Sequence, residues 1–403
     1  MKRTVSRYRP VRCPVRWQLL CPAALALVCV TPVAADEIKV PGTSVTYKPY
    51  IESEGGYDSN PDGLFRKVGS PFERIEGGLK VTAKAPNETY ELFLKAREVH
   101  FDNLEIENRW DFKAALDTTF DVAPNQRLAF GTYYLRDFFS LERAEIGHSY
   151  GEYTLKEDDY KIKLEGRSHV EHNLNDNVQG TQTLDDFNVS KGAAFDYSRT
   201  DGRLSAIAFT KSMIQPFAIY DFGNMDYFNQ VAGASIDRNA TEHFAIAGLR
   251  FDFDKTLRVD IGGRYNHRDF DDRFVSPHDT GFIDINAYWK PVEAFKATLV
   301  VERYFKEPST AFGLADDVRT VGLTADWKID QYWQLNLGGY YDRIEAIGDD
   351  RRYNKFTTTA SLTYEPNSSV EIFLSALGKW VTEDVNDDFY SRYKIGSGIR
   401  LKF

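Results

Sequence analysis

Cysteine is confined to the first 29 residues of this 403-residue chain, at Cys13, Cys21 and Cys29. Methionine is equally scarce, with three residues, and histidine occurs seven times. Beyond Cys29 the sequence therefore excludes disulfides, thiol catalysis and thiolate metal sites. Such a composition suits a chain that crosses an oxidising compartment before it folds.

Long apolar runs are missing after Val30. The one run before it, Leu19 to Val30, follows a segment that is rich in Lys and Arg and has no acidic residue. It is shorter than the roughly 18 residues that a membrane helix needs. Small residues at Val33 and Ala35 complete the pattern of a signal peptide. We therefore expect residues 1–35 to be a signal peptide that is cleaved before Asp36.

An excess of positive charge is also missing, because the formal net charge is −10. Loss of the basic leader makes the remaining chain more negative still. Nucleic acid is therefore not expected as a partner.

The remaining sequence alternates between apolar and polar residues with a period of two. Segments 257–265, 283–289 and 333–341 each place apolar side chains at every second position, with charged or amide residues between them. This period is that of a β-strand with one apolar and one polar face. Strands that face lipid on one side and a polar lumen on the other let a chain of ordinary polarity span a membrane.

Short clusters of turn-forming residues divide these strands into hairpins. The clusters are Pro86-Asn87, Pro124-Asn125, Asp158-Asp159, Asp201-Gly202, Asp254-Lys255, Pro291-Val292, Asp330-Gln331 and Pro366-Asn367. Longer connections separate them, the longest being predicted at 173–186 and 214–239. The sequence thus predicts an all-β fold: a transmembrane, antiparallel, up-and-down β-barrel of about 18 strands over residues 45–403. Residues 36–44 are expected to form a short periplasmic segment, with the short turns periplasmic and the long loops extracellular.

The last strand carries the most specific signal. Ile395, Ile399, Leu401 and the terminal Phe403 share one phase, which directs them toward lipid. A terminal aromatic residue after alternating apolar positions is the pattern that the barrel-assembly machinery binds. Aromatic residues at other strand ends predict an interfacial girdle. We therefore expect the chain to lie among the lipids of the cell outer membrane of a Gram-negative bacterium.

The opposite phase predicts the residues that face the lumen. The candidate pore-lining cations are Lys80, Lys84, Lys95, Arg97, Lys161, Lys163, Arg167, Arg258, Arg264, Arg392 and Lys394. Fewer acidic residues are assigned to this phase, whereas acidic pairs are frequent in the loops. A wall with excess Lys and Arg would stabilise anionic solutes or an anionic polymer. Alternatively, these cations serve only to pair with inward Asp and Glu.

Catalytic and metal-binding patterns are weak. His148 and Ser149 are adjacent on a strand, so they point to opposite faces and cannot act together as a base and nucleophile. The histidines are scattered rather than spaced as metal ligands. We therefore expect neither enzymatic activity nor a cofactor.

One loop partly matches a calcium site. Asp58, Asn60, Asp62 and Gly63 occupy the first ligand positions of an EF-hand loop, but Gly69 stands where the bidentate Glu would be required. The interpretation favoured for this segment is a turn built from Asx and Pro residues.

The opening of the barrel, Gly55-Gly56-Tyr57-Asp58-Ser59-Asn60-Pro61, resembles the first-strand signature of the putative β-barrel porin 2 family. The resemblance implies an outer-membrane barrel similar to those that export alginate and other exopolysaccharides. It also implies a periplasmic polysaccharide-export protein as a partner. This chain departs from family versions that carry helical repeats, because only Asp36 to Ser44 is expected to precede the barrel.

Two functions therefore remain open. The first is an outer-membrane pore for export of an exopolysaccharide, which the basic lumen suggests is anionic. The second is a general or anion-selective diffusion porin for uptake of small solutes.

Overall fold

The fold is described from a computed structural model of the chain. It describes residues 38–60, 69–103, 109–139, 142–173, 197–228, 237–254, 256–307, 313–348, 350–384 and 389–403. The predicted signal peptide lies outside these ranges.

Almost all of the described residues lie in β-strands. The strands are β1 (Ile38–Lys39), β2 (Val45–Asp58), β3 (Ser70–Ala85), β4 (Glu88–Phe101), β5 (Arg109–Ala123), β6 (Gln126–Phe139), β7 (Glu142–Lys156), β8 (Tyr160–Asn173), β9 (Tyr197–Ala208), β10 (Ile214–Tyr227), β11 (Ala240–Phe253), β12 (Leu257–Phe270), β13 (His278–Val292), β14 (Phe295–Lys306), β15 (Ala315–Lys328), β16 (Trp333–Ile347), β17 (Arg352–Asn367), β18 (Val370–Glu383) and β19 (Phe389–Lys402). Within the described ranges, no helix has the length and apolar character needed to cross a bilayer.

The strands close into a single barrel. Each strand from β2 onward pairs antiparallel with the next one in the chain, and β19 pairs with β2. Over the described residues this gives eighteen barrel strands, which confirms the predicted fold class. The short strand β1 adds an edge pairing to the beginning of β2, with Ile38 opposite Tyr47.

The barrel strands β2 to β19 are 12 to 16 residues long. A strand of 14 residues such as β2 extends for about 47 Å at 3.3–3.4 Å per residue, and a barrel tilt of 35–45° leaves a height of about 36 Å. The apolar band of an outer-membrane barrel is about 25 Å tall. The strand ends therefore project beyond the lipid on both sides and form two polar rims.

Most of the predicted turns lie at or within two residues of a strand end. The exception is Asp201-Gly202, which was predicted as a turn but lies in the middle of β9, so that prediction was wrong. The actual turn spans residues 209–213. The predicted connection at 214–239 was also wrong in its first half, which is β10. The connection predicted at 173–186 lies almost wholly outside the described residues.

Local chemistry explains the missed turn. The Asp201 carboxylate accepts a hydrogen bond from Nε of Arg199 at 2.7 Å, so it serves the sheet rather than a turn. The real turn is built without Gly, Pro, Asn or Asp at its centre. Phe209 adopts a left-handed conformation with φ of 54°, and the Ser212 N–H donates to its carbonyl at 2.8 Å. Ser212 is the one residue of this turn with turn-forming character, and its Oγ accepts from the Ile214 N–H at 3.3 Å, so the sequence marks the position only weakly.

The outer surface of the barrel is apolar. Side chains such as Ile75, Ile283 and Leu323 are more than half exposed in the isolated chain, which is expected of a face that contacts lipid. Aromatic side chains lie on this face at the short-turn end, where the rings of Trp289 and Phe295 meet edge to face at 5.5 Å. This is the arrangement expected of an interfacial girdle.

The closing seam joins the two ends of the barrel. The register between β19 and β2 runs from Lys394 opposite Asp58 to Lys402 opposite Tyr50. The Phe403 N–H continues this ladder by donating to the Pro49 carbonyl at 3.1 Å. The terminal residue is therefore held by the first barrel strand.

Candidate functional site: the lumen of the barrel

Strand register defines which residues form the inner wall. Residues that are directly opposite across two antiparallel strands share one face of the sheet. Glu52 is 1% exposed, whereas its neighbour Ile51 is 44% exposed. Because lipid-facing positions are apolar and lumen-facing positions polar in such barrels, Glu52 marks the inner wall. Following the register around the ring then assigns the inner-wall and outer-wall positions of all the remaining barrel strands.

All eleven candidate pore-lining cations occupy inner-wall positions by this register. Seven of them are in ion pairs with acidic residues of the same wall. These pairs are Lys80–Glu91, Lys95–Glu76, Arg97–Asp111, Lys163–Glu152, Arg167–Asp221, Arg264–Asp284 and Arg392–Asp58. Most of the wall is therefore a lattice of paired charges rather than a ring of unpaired cations.

Many acids of this lattice were not assigned to the lumen by the sequence. They include Glu52, Glu54, Asp58, Asp201, Asp221, Glu242 and Glu371. These acids were missed because Gly and Tyr can stand on either face of a strand. Where they interrupt the alternation of apolar and polar residues, as in β2, the sequence does not show which positions face the lumen.

Lys84, Lys161, Arg258 and Lys394 form no ion pair with any residue in the described ranges. Lys394 is deeply placed, and its ammonium lies 4.3 Å from the centre of the Phe72 ring. Arg258 lies 5.7 Å from the ring of Tyr288. Lys84, Lys161 and Arg258 are exposed and lie at the short-turn ends of their strands.

Two further cations complete this group. Lys156 lies directly opposite Lys161, and Lys328 lies opposite Gln334 on β16, so both belong to the inner wall at the short-turn end. Both are exposed, and neither forms an ion pair with another part of the described structure. We call Lys84, Lys156, Lys161, Arg258 and Lys328 the periplasmic rim. Among the acids at this end, Asp252 lies opposite Arg258 in the register.

The sequence alone found three of these five residues. Lys156 shares the phase of Glu152 and Thr154 along β7, so period-two alternation could have found it. It was missed because the ends of strands are the least certain part of such a pattern.

The seam between β19, β2 and β3 holds the densest ion-pair network. Glu52 accepts a hydrogen bond from Nε of Arg400 at 2.7 Å and also pairs with Arg74. Nε of Arg74 lies 2.9 Å from Glu54. Because buried carboxylates need partners, the arginines of this seam satisfy acids that would otherwise oppose closure of the barrel.

A second charged cluster lies near the extracellular end. Arg199 on β9 pairs with Glu242 at 2.9 Å and with Asp201 at 2.7 Å. Arg268 is fully buried beside it, and its Nη2 lies 3.5 Å from the sulfur of Met225.

Glu307, which follows β14, reaches this cluster. Its side chain is half-exposed as a whole, but its Oε2 atom is buried and has no hydrogen-bond partner within the described structure. Burial raises the pKa of the Glu307 carboxyl to about 8, and the charge of nearby Arg199 acts in the opposite direction. The acids Glu171, Asp316 and Asp201 also face Glu307 and raise this pKa further.

Within the described residues, His148 and Ser149 do not form a catalytic pair, and the loop with the partial calcium pattern is described only in part. His148 faces the lumen and Ser149 the lipid side. Asp58 is engaged with Arg392, and Asp62 and Gly63 lie outside the described residues. Within the described ranges, no three His, Cys, Asp or Glu side chains are placed to share a metal ion.

The fold and its polar lumen define a channel protein of the Gram-negative outer membrane. The chain belongs to the putative β-barrel porin 2 family, whose sequence pattern it matches over residues 42–403. A search of curated protein sequences found no match.

Solved outer-membrane barrels resemble the chain in shape but hardly in sequence. The siderophore receptor PirA from Acinetobacter baumannii is 9% identical, with 91% of this chain and 81% of that chain covered and a TM-score of 0.47. OccK2 (OpdF) from Pseudomonas aeruginosa, solved in complex with glucuronate, is 8% identical, with 89% and 98% covered and a TM-score of 0.47.

Proposed function

We propose that this protein is an outer-membrane pore through which an anionic exopolysaccharide leaves the cell. In this role it would receive the polymer from a periplasmic polysaccharide-export protein. The observation that carries the proposal is the periplasmic rim, because its exposed cations lie at the end of the lumen where an exported polymer would enter. Membership of the porin family and the resemblance noted in the first strand support the same function.

The rim is suited to capture rather than to tight binding. Exposed charges act over a Debye length of about 8 Å at physiological ionic strength, and an excess of charge of one sign at a mouth raises the local concentration of oppositely charged solute. A polyanion can contact several of these cations at once, so a multivalent effect adds to each weak contact. The proposal therefore predicts salt-sensitive entry from the periplasmic side.

The paired charges of the wall above the rim are suited to passage of the polymer along the lumen. Conduction requires sites that bind weakly enough to release the solute. In the lattice, cations such as Lys95 and Lys163 already have carboxylate partners at 3.1 and 2.8 Å. A passing chain would meet hydrogen-bonding groups of both signs without a deep electrostatic trap.

A general or anion-selective diffusion porin is the second candidate, because the same rim would attract small anions. The two functions differ in what loss of the protein should change. Loss of an exporter should reduce polymer release from cells, whereas loss of a porin should slow uptake of small anions and leave polymer release unchanged.

Deletion and complementation test the proposal. Cells that lack the protein should release less exopolysaccharide, and the wild-type gene should restore release. A rim variant carrying Lys84→Gln, Lys161→Gln and Arg258→Gln should restore it only in part. Lys211→Gln is the matched control, since Lys211 is an exposed periplasmic cation outside the lumen that pairs with Asp158. Unchanged release in the deletion strain would rule out export as the function.

A further inference from the structure

Aromatic side chains form a continuous row across the inner wall of β6 to β9. The row consists of Tyr133, His148, Tyr150, His169 and Tyr197. The ring of His148 lies 5.0 Å from that of Tyr133 and 6.1 Å from that of His169, measured between centroids. His169 is in turn 5.4 Å from Tyr197, and Tyr150 is 6.5 Å from His148.

The row runs obliquely up the wall. His148 lies directly opposite Tyr133 and His169 in the strand register, so the row crosses neighbouring strands at right angles. Because barrel strands are tilted by 35–45°, a line across them climbs toward one rim. It begins at Tyr133, near the middle of β6, and ends at Tyr197, the first residue of β9 at the extracellular end.

Tyr150 presents the face of its ring to the lumen. A methyl group at Gly131, on the adjacent strand, would clash with this ring, so the ring lies flat against the wall over the glycine. Its hydroxyl also donates to Asp117 at 2.9 Å, but the packing over Gly131 sets the orientation of the ring. The side chain is partly exposed, which leaves the other face of the ring open to the lumen.

The same arrangement recurs across the barrel. Tyr340 on β16 lies over Gly322 on β15, and 36% of its surface is exposed. β7 and β16 are nine positions apart in the closed ring of eighteen, with eight strands between them on either side, so the two tyrosines lie on opposite walls. Packing over glycine stabilises a sheet, but it does not require that the ring face remain open.

Open aromatic faces beside charged groups suit carbohydrate. The C–H groups on one face of a sugar ring carry partial positive charge and meet the negative face of an aromatic ring, while the hydroxyl groups at its edge need planar hydrogen-bonding partners. Arg167 lies directly opposite Tyr150, and Glu152 is two residues away on the same face. Both kinds of contact are thus available at one place.

We propose that this aromatic row binds the sugar rings of the transported polysaccharide and guides the chain from the middle of the lumen to the extracellular rim. The proposal rests on the function proposed above and extends it, because stacking on a ring does not depend on the charge of the sugar. Neutral oligosaccharides should therefore bind in the lumen as well as anionic ones.

Block of single-channel current in planar lipid bilayers tests the row. The probes are maltohexaose, which is neutral, and hexagalacturonate, which is anionic. Tyr150→Leu should weaken block by maltohexaose roughly two- to tenfold, the range expected for loss of one aromatic contact. Tyr150→Phe keeps the ring, so maltohexaose should block this variant as strongly as it blocks the wild type. Tyr153→Leu is the matched control, since Tyr153 lies on the same strand and faces lipid.

The outcomes separate this proposal from the export function. Two outcomes would refute sugar binding by the row and leave the export proposal intact. One is equal block by maltohexaose in Tyr150→Leu and the wild type, and the other is an equal loss of block in Tyr150→Leu and Tyr150→Phe. If neither maltohexaose nor hexagalacturonate blocks the wild-type channel, sugar binding by the row is also refuted. The deletion assay tests export independently. If Tyr150→Leu does not fold, His148→Leu and Tyr133→Leu should weaken block by the neutral sugar in the same way, and wild-type block in both would refute the row.

Discussion

The ion pair between Asp58 and Arg392 should contribute strongly to closure of the barrel. Asp58 has no exposed surface, and Nε of Arg392 donates to both of its carboxylate oxygens at 3.0 Å. A further hydrogen bond comes from the Asn60 N–H at 3.1 Å. Arg392→Met would leave a buried carboxylate without its cation at the junction of β19 and β2.

The expected loss of unfolding free energy is large because the Asp58 carboxylate stays buried after its partner is removed. Breaking a buried pair by removing one partner costs about 3–5 kcal/mol of unfolding free energy, whereas replacing both partners by apolar residues is often close to neutral. The double variant Arg392→Met with Asp58→Leu should therefore recover most of the loss. The Lys80–Glu91 pair is the control, since its side chains are 45% and 39% exposed. Lys80→Met should cost about 0–1 kcal/mol.

Urea unfolding in lipid vesicles, followed by tryptophan fluorescence, measures these differences. A loss for Arg392→Met no larger than that for Lys80→Met would refute the argument that burial makes this pair important. A double variant less stable than Arg392→Met would refute the argument that the stranded carboxylate causes the loss.

Three other predictions concern the rim, the extracellular cluster and the last residue. Replacing Lys84, Lys161 and Arg258 by Gln should shift the reversal potential in a salt gradient toward cation selectivity, and an unchanged potential would exclude the rim from the ion path. Glu307, whose pKa is raised from 4.5 to about 8, holds one more proton in the folded than in the unfolded state between these values, so the unfolding free energy should fall as pH rises through this interval. Glu307→Gln should flatten that dependence in urea titrations, and a slope identical to the wild type would contradict the assignment. Phe403→Ala should lower the amount of folded barrel in the outer membrane severalfold, as measured by heat-modifiable mobility on gels, because it removes the terminal aromatic signal while its backbone bond to Pro49 can still form.

Sequence patterns predicted more of the fold than of the site. Period-two alternation predicted the all-β barrel and about 18 strands, even though the turn at Asp201-Gly202 was misplaced. The number of strands was still correct, because the observed hairpin is only shifted along the chain from the predicted one. β10 occupies much of the predicted connection at 214–239, and the real turn begins at Phe209. Turns without characteristic residues are not visible to a local pattern.

The lumen shows the limit of the same reasoning. All eleven candidate cations occupy the inner wall, yet the sequence could not tell paired from unpaired ones. Lys163 and Lys161 are two residues apart with the same phase, and only Lys163 has carboxylates within reach. Those carboxylates are Glu152, on the neighbouring strand, and Glu165, on the same strand.

Residue alternation alone assigns each of these side chains to a face, because the alternation of a strand is a local property of its backbone. Which charges meet follows from the closed barrel, since pairing depends on the register between strands that can be far apart in the chain. Arg400 and Glu52 are 348 residues apart and become neighbours only when β19 closes on β2. The same closure makes the wall a lattice of paired charges and leaves the exposed cations at the periplasmic rim.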